Sequence, residues 1–166
     1  MHKIKWGIIG SGNIAKAFAH SIKYCQNSEL TSVFGRNSEM VDQFSTKFDI
    51  AAFTDLDEFI SSNNIDAVYI ATPHNSHYFY SLEAIKNNKH VLCEKPLTMN
   101  YLESMTLLNL AKEAELFLME AYMYRTHPQT FNILEHLDIF KNTKEKIFIE
   151  SSFGFSAELP KEHRLR

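Results

Sequence analysis

The sequence predicts an α/β fold built on a doubly wound parallel sheet. Short apolar strands alternate with amphipathic helical stretches as far as Glu120, and a glycine-rich turn follows the first strand. Residues 67–71 form an unbroken apolar run, the pattern of a strand covered on both faces.

Each element follows from its local pattern. Residues 3–9 read as the first strand and 13–24 as a helix, with Ile14, Phe18 and Ile22 on one face. Residues 30–34 form the second strand. Asn37 or Ser38 caps the next helix, which is expected to bury Met40, Val41, Phe44 and Phe48. A short strand at 51–53 precedes a brief helix opened by Thr54-x-x-Asp57 and carrying Phe59 and Ile60. The fourth strand covers 67–71, a helix 76–87, and a fifth, buried strand 90–93. Asn100-x-x-Glu103 resembles a capping box for a helix reaching Ala114, and 117–119 supplies a sixth strand. Six strands with intervening helices make a Rossmann sheet in the order 3-2-1-4-5-6.

The pattern changes after Glu120. Residues 128–137 are expected to be helical, with Ile133, Leu134 and Leu137 facing inward. Residues 147–155 alternate in polarity, as in a strand of a different, antiparallel sheet. The expected division is a Rossmann domain over 1–121 and the incomplete start of a second α/β domain over 122–166. A lone alternating strand without its sheet is an adhesive edge, so self-association through it is expected.

Composition narrows the function classes. At 166 residues, with 45% hydrophobic and 22% charged side chains, the chain can build a full core. A net charge of −3 and no long basic run argue against nucleic acid or an anionic membrane surface as partner. The N-terminus has no secretory apolar region, and no apolar run approaches a membrane span. Cys25 and Cys93 read as free thiols of a reducing cytoplasm rather than a disulfide. His74 and His77 are the one close histidine pair, without a surrounding Cys or carboxylate cluster, so no metal site is expected.

Gly10-Ser11-Gly12-Asn13-Ile14-Ala15 fits G-x-G-x-x-A between a strand and a helix. The first glycine permits the tight turn, the second lets the backbone approach a pyrophosphate, and Ala15 allows close helix–strand packing. The helix start then offers amides and a positive dipole end to phosphates. The alternative is a tight β–α turn without a ligand. Where a ribose-binding Asp or Glu is expected after the second strand, the chain has Gly35-Arg36-Asn37-Ser38. Arg36 could pair with a 2′-phosphate, with Asn37 or Ser38 adding hydrogen bonds. The cofactor is therefore read as NADP, with NAD left open.

The fourth strand runs into Ala71-Thr72-Pro73-His74-Asn75-Ser76-His77 at the strand-order reversal, where ligands bind. Thr72 and Pro73 are placed on the ribose–nicotinamide path, and His77 mainly at the start of the next helix. Glu94-Lys95-Pro96 closes the fifth strand at the same sheet edge. Lys95 there could polarise a substrate oxygen or relay a proton as hydride moves. Otherwise it is an exposed lysine in a turn.

Together these motifs resemble the glucose–fructose oxidoreductase / inositol dehydrogenase / rhizopine-catabolism (Gfo/Idh/MocA) family. The matching pieces are Trp6-Gly7-Ile8-Ile9-Gly10-Ser11-Gly12-Asn13-Ile14-Ala15, Ala71-Thr72-Pro73 with His77, and Glu94-Lys95-Pro96-Leu97-Thr98. Met119-Glu120-Ala121-Tyr122-Met123-Tyr124-Arg125-Thr126-His127-Pro128 extends the match and is most similar to the trans-1,2-dihydrodiol dehydrogenase-like branch. The resemblance implies Lys95 as the catalytic lysine. It implies cofactor contacts at Gly10, Gly12, Asn13, Ile14 and Arg36, with Thr72, Pro73, His77, Glu94 and Arg125 touching or shaping the pocket. A cis Lys95-Pro96 bond belongs to the same expectation.

The resemblance also implies a C-terminal α/β domain that supplies further substrate residues beyond a glycine-rich segment. Residues 162–166 resemble the approach to that segment. The chain is thus expected to be a truncated form or half of a split enzyme acting on a sugar, polyol or diol. It should keep cofactor binding with weak or no turnover; a non-catalytic dinucleotide-binding module is the alternative.

Overall fold

The computed structural model describes residues 3–140, together with 148, 150–152 and 154. The chain divides into two compact units, Met1–Met123 and Tyr124–Arg166.

The first unit is a six-stranded parallel sheet. The strands are β1 Ile4–Ile9, β2 Ser28–Phe34, β3 Ala51–Phe53, β4 Ala67–Ile70, β5 His90–Cys93 and β6 Leu118–Glu120, in the order β3-β2-β1-β4-β5-β6. This is the predicted order, with strand ends displaced by one or two residues. Between them run the helices α1 Asn13–Ser21, α2 Ser38–Phe48, α3 Leu56–Ile60, α4 His77–Lys86 and α5 Tyr101–Glu113.

Period-two alternation explains why both faces are covered. Ile8, Val33 and Tyr69 point into one core with Ala15 and Ala19 of α1 and Val41, Phe44 and Phe48 of α2. Their neighbours Ile9, Phe34, Val68 and Ile70 point into the other, with Phe59 of α3, Tyr80, Ala84 and Ile85 of α4, and Leu107 of α5. The central strand β4 therefore buries successive residues on opposite sides and reads as a continuous apolar run.

Three helix starts are fixed by side chains. The Asn37 carboxamide accepts the Met40 N–H at 3.0 Å, and Asn100 accepts Glu103 N–H at 3.0 Å. Asp55 Oδ1 accepts Glu58 N–H at 2.9 Å. The cap of α3 is thus Asp55, one residue past the expected Thr54, because its carboxylate reaches the third amide of the helix. The predicted first helix is shorter than expected: Ile22–Tyr24 tightens into a 3-10 turn.

Two burial expectations are corrected. Met40 is 46% exposed and Ile14 42% exposed. Val41, Phe44 and Phe48 fill the sheet-facing side of α2, so the adjacent Met40 is turned outward. In α1 the stripe that meets the sheet is Ala15 and Ala19, whose small side chains bring the helix close.

A 3-10 turn, Met123–Thr126, carries the chain from the first unit into the second, where α6, Pro128–Phe140, follows. Pro128 occupies the first helical position, where its missing N–H costs nothing. His127 Nδ1 accepts the Gln129 N–H at 3.2 Å. Ile133 and Leu134, expected to face inward, are 51% and 54% exposed. Leu137 is half-buried. A helix face is buried only where another element lies against it, and among the described residues of this unit only the short turn precedes α6. Of the predicted strand 147–155, residues 148, 150–152 and 154 carry no strand, and Phe148 is 87% exposed. Ile147, Ile149, Phe153 and Phe155 lie outside the described residues, as do residues 162–166.

Candidate functional site

The carboxyl ends of β1, β2, β4 and β5 lie along one edge, and the residue after each strand is still held by the ladder. Gly10 N–H donates to Phe34 O at 2.8 Å, Gly35 N–H to Phe53 O at 3.2 Å, Ala71 N–H to Ile9 O at 2.9 Å, and Glu94 N–H to Ile70 O at 2.9 Å. Four loops therefore leave the sheet from pinned positions. This is the switch point between β1 and β4 where open α/β sheets bind ligands.

A cleft of about 380 Å³ opens there, lined by Gly10, Ser11 and Gly12, by Gly35, Arg36, Asn37 and Met40, and by Thr72, Pro73 and Ser76. No Asp or Glu is among its lining residues. Gly10 has φ of 107°, and a Cβ there would lie 2.8 Å from the Ala71 carbonyl oxygen, so only glycine fits this turn. Gly12 differs: a Cβ would meet nothing within 4 Å, leaving open space at the start of α1. That start has no side-chain cap and no acidic residue in its first turn, in contrast to α2, α3 and α5. Unpaired amides beside open space and an arginine suit an anionic group such as a pyrophosphate.

The chain brings some predicted residues together and sets others apart. Gly10, Gly12, Arg36, Thr72 and Pro73 share the cleft. Asn13 and Ile14 are exposed at the start of α1. Met40, expected in the core, instead borders the cleft.

His77 is fully enclosed, with 0% exposure. Its Nδ1 lies 2.7 Å from Pro96 O and its Nε2 2.9 Å from Thr72 O. Both nitrogens are engaged within the protein, so the side chain meets the site only through the backbone of two loops. Arg125, in the second unit, is exposed on the turn Met123–Thr126.

Lys95 is exposed beyond the end of β5. With β4 between them, β1 and β5 lie two strand spacings apart, roughly 10 Å. Among the described residues neither Lys95 nor Arg36 forms an ion pair. The Lys95-Pro96 bond is cis.

Glu94 is half-buried and fully engaged: Oε1 accepts the Tyr69 hydroxyl at 2.8 Å, and Oε2 accepts the Lys95 N–H at 3.2 Å. Tyr69 is in turn stacked on Phe18 at 4.1 Å between ring centres. Burial, reinforced by the hydrogen bond to Glu94, pushes the Tyr69 phenol above its ordinary value, so it stays a donor. Beyond the lysine, Leu97 N–H donates to Glu120 Oε1 at 2.8 Å. Tyr69 and Glu120 are supports that the sequence reading missed. The one available signal was a phenol inside the otherwise polar-free run at 67–71.

Cys93 and Cys25 are free thiols, Cys93 buried and Cys25 exposed. Burial, with a smaller contribution from the carboxylates of Glu94 and Glu120, pushes the Cys93 thiol up to about 12. It remains protonated and is no nucleophile. Among the described residues no group of three or more His, Cys, Asp or Glu could hold a metal ion, and no helix is long and apolar enough to cross a membrane.

Known proteins are similar to this chain in sequence and in fold. The model of the oxidoreductase family with an NAD-binding Rossmann fold (Gfo/Idh/MocA) matches residues 4–122. The scyllo-inositol 2-dehydrogenase (NADP(+)) of Bacillus subtilis is 36% identical over 135 residues, 81% of this chain and 41% of that protein. The trans-1,2-dihydrobenzene-1,2-diol dehydrogenase of Danio rerio is 31% identical over 133 residues, 78% of this chain and 40% of that one. A 3-ketoreductase from Actinomadura kijaniata, solved with NADP and TDP-benzene, superposes with a TM-score of 0.77 at 29% identity, covering 83% of this chain and 43% of its own. The chain thus spans less than half the length of these relatives.

Proposed function

The chain belongs to the Gfo/Idh/MocA oxidoreductase family with an NAD-binding Rossmann fold, and we propose that it forms the dinucleotide-binding part of an NADP-linked oxidoreductase of a sugar, polyol or diol. The observation that carries this reading is the cleft joining an uncapped helix start and Arg36 without a single lining carboxylate. A carboxylate would hydrogen-bond a ribose 2′-hydroxyl and repel a 2′-phosphate, whereas a guanidinium pairs with the phosphate. The NADP(+) in the name of the Bacillus enzyme and the NADP bound to the Actinomadura ketoreductase support the same choice.

Bound nicotinamide would supply or accept the hydride. The amides of Asn13 and Ile14 at the start of α1 would hold the pyrophosphate, Arg36 would hold the 2′-phosphate, and Thr72 and Pro73 would line the path to the nicotinamide. Lys95 acts on the substrate oxygen, donating a proton when a carbonyl is reduced and polarising the hydroxyl in the reverse direction. Glu94, with both oxygens engaged, fixes the backbone from which Lys95 projects and moves no proton. Dinucleotide binding is expected of this chain, with weak or no turnover; full turnover is assigned to a protein of the relatives' whole length.

Fluorescence titration tests the cofactor choice. NADPH is expected to bind at least tenfold more tightly than NADH. Arg36→Ala should raise the NADPH Kd about tenfold, the loss of one hydrogen bond to a charged group, and change NADH by less than about twofold. Tighter binding of NADH would overturn the NADP assignment. Absence of saturation by either cofactor at sub-millimolar concentration would overturn dinucleotide binding itself.

A further inference from the structure

We propose that His77 is a positioning residue that fastens the cofactor wall to the lysine turn. The inference rests on the functional reading above. Thr72, whose carbonyl meets Nε2, lines the cleft, and Pro96, whose carbonyl meets Nδ1, directly follows Lys95. One ring therefore spans two loops that leave different strands, β4 and β5. The ring itself is held at the first residue of α4 and is closed to solvent.

The chemistry of the two contacts is restrictive. A carbonyl oxygen accepts and never donates, so each contact is a hydrogen bond only if the facing nitrogen carries a hydrogen. Neutral imidazole has one N–H, and in that form one carbonyl would face a nitrogen lone pair at under 3 Å. Whichever nitrogen carries the hydrogen, this ring is the group on which both carbonyls converge. A buried polar atom left without its partner is costly, so the arrangement stands while both carbonyls stay in place. That mutual dependence couples the separation of Thr72 and Pro96. The dinucleotide wall and the base of Lys95 are thereby held as one piece.

The neighbouring bonds stiffen the same piece. Thr72 Oγ1 accepts the Ser76 hydroxyl at 2.8 Å, one residue before His77. Leu97 N–H, one residue past Pro96, is held by Glu120. Both loops are thus tied on their far sides as well, and the histidine closes the link between them.

The test uses the full chain with nitrogen-15 labelling. The His77 ring should show an N–H correlation that exchanges slowly with solvent; a ring N–H that exchanges as fast as an exposed imidazole overturns the proposal. His77→Phe keeps a ring of similar bulk and removes both nitrogens. It should raise the NADPH Kd about tenfold and speed amide exchange at Leu97 about tenfold, with Ile9 in the sheet centre unchanged.

A histidine that only filled space would lower Tm while leaving the Kd and Leu97 exchange ratio alone, and that result also overturns the proposal. Should His77→Phe not fold, His77→Gln and the ring spectrum of the unsubstituted chain decide it. If the unsubstituted chain does not bind NADPH, the functional reading fails, while the ring spectrum and Leu97 exchange still judge the clamp.

Discussion

Gly12→Val is expected to weaken NADPH binding by on the order of 100-fold or more while lowering Tm by no more than about 4 °C. The modest stability cost follows from the backbone. Gly12 has φ of −75° and ψ of −173°, extended values open to any residue, and a Cβ there meets no atom within 4 Å. Exchanging glycine for valine at a helix cap costs about 1 kcal/mol, which a chain of this size registers as a few degrees. The large binding cost follows from the same open space, which valine fills where a pyrophosphate needs close approach to the backbone.

Gly10→Ala, in contrast, should lower Tm further, since it places a Cβ 2.8 Å from a carbonyl oxygen at φ of 107°. Strain of that kind costs on the order of 1–3 kcal/mol. Calorimetry and fluorescence titration on the two variants separate fold from site. Normal NADPH binding by a folded Gly12→Val would show that the turn does not carry the pyrophosphate.

Lys95→Met should do the reverse, leaving the NADPH Kd within about twofold and lowering kcat about 10³-fold in the protein that turns over substrate. Methionine keeps most of the stem and removes the ammonium, the group proposed to act on the substrate oxygen. General acid–base catalysis contributes on the order of 10² to 10⁴ in rate, which sets the scale. No cofactor phosphate is assigned to Lys95, so its loss should not affect dinucleotide affinity. Unchanged kcat would remove the lysine from the chemistry.

The sequence was most informative where a single local rule decides. Alternating strands and helices, the apolar run at 67–71 and the asparagine caps each depend on neighbours within a few residues. Helix ends were legible as well: α4 and α5 were expected to reach Asn87 and Ala114 and end at Lys86 and Glu113. The left-handed residues that follow α2, α4 and α5, Asp49, Asn88 and Glu115 with φ of 56°, 58° and 56°, were not, because glycine usually marks that conformation.

Burial was misread where bulk and face disagree. Met40 and Val41 are both apolar, yet only Val41 meets the sheet, and the small Ala15 and Ala19 outrank Ile14 in α1. In the site, the glycine turn and Lys95 were legible because each lies at a strand end marked by its own motif. The supports were not. Tyr69 with Glu94, His77 with Pro96, and Glu120 with Leu97 join residues 25, 19 and 23 positions apart. Only the strand order places them side by side.

The bare start of α1 also carries a lesson for engineering. Helices α2, α3 and α5 each carry an Asn or Asp side chain at the cap, and α1 forgoes that hydrogen bond at Gly12, at a cost of a few tenths of a kcal/mol. A search for thermostable variants guided by folding energy alone would be drawn to this position and would install Ser or Asp. The new side chain would satisfy the helix from within, and Asp would add a negative charge facing the phosphates. Such a variant would be selected as an improved protein on a melting curve while its recognition of the dinucleotide was being designed away.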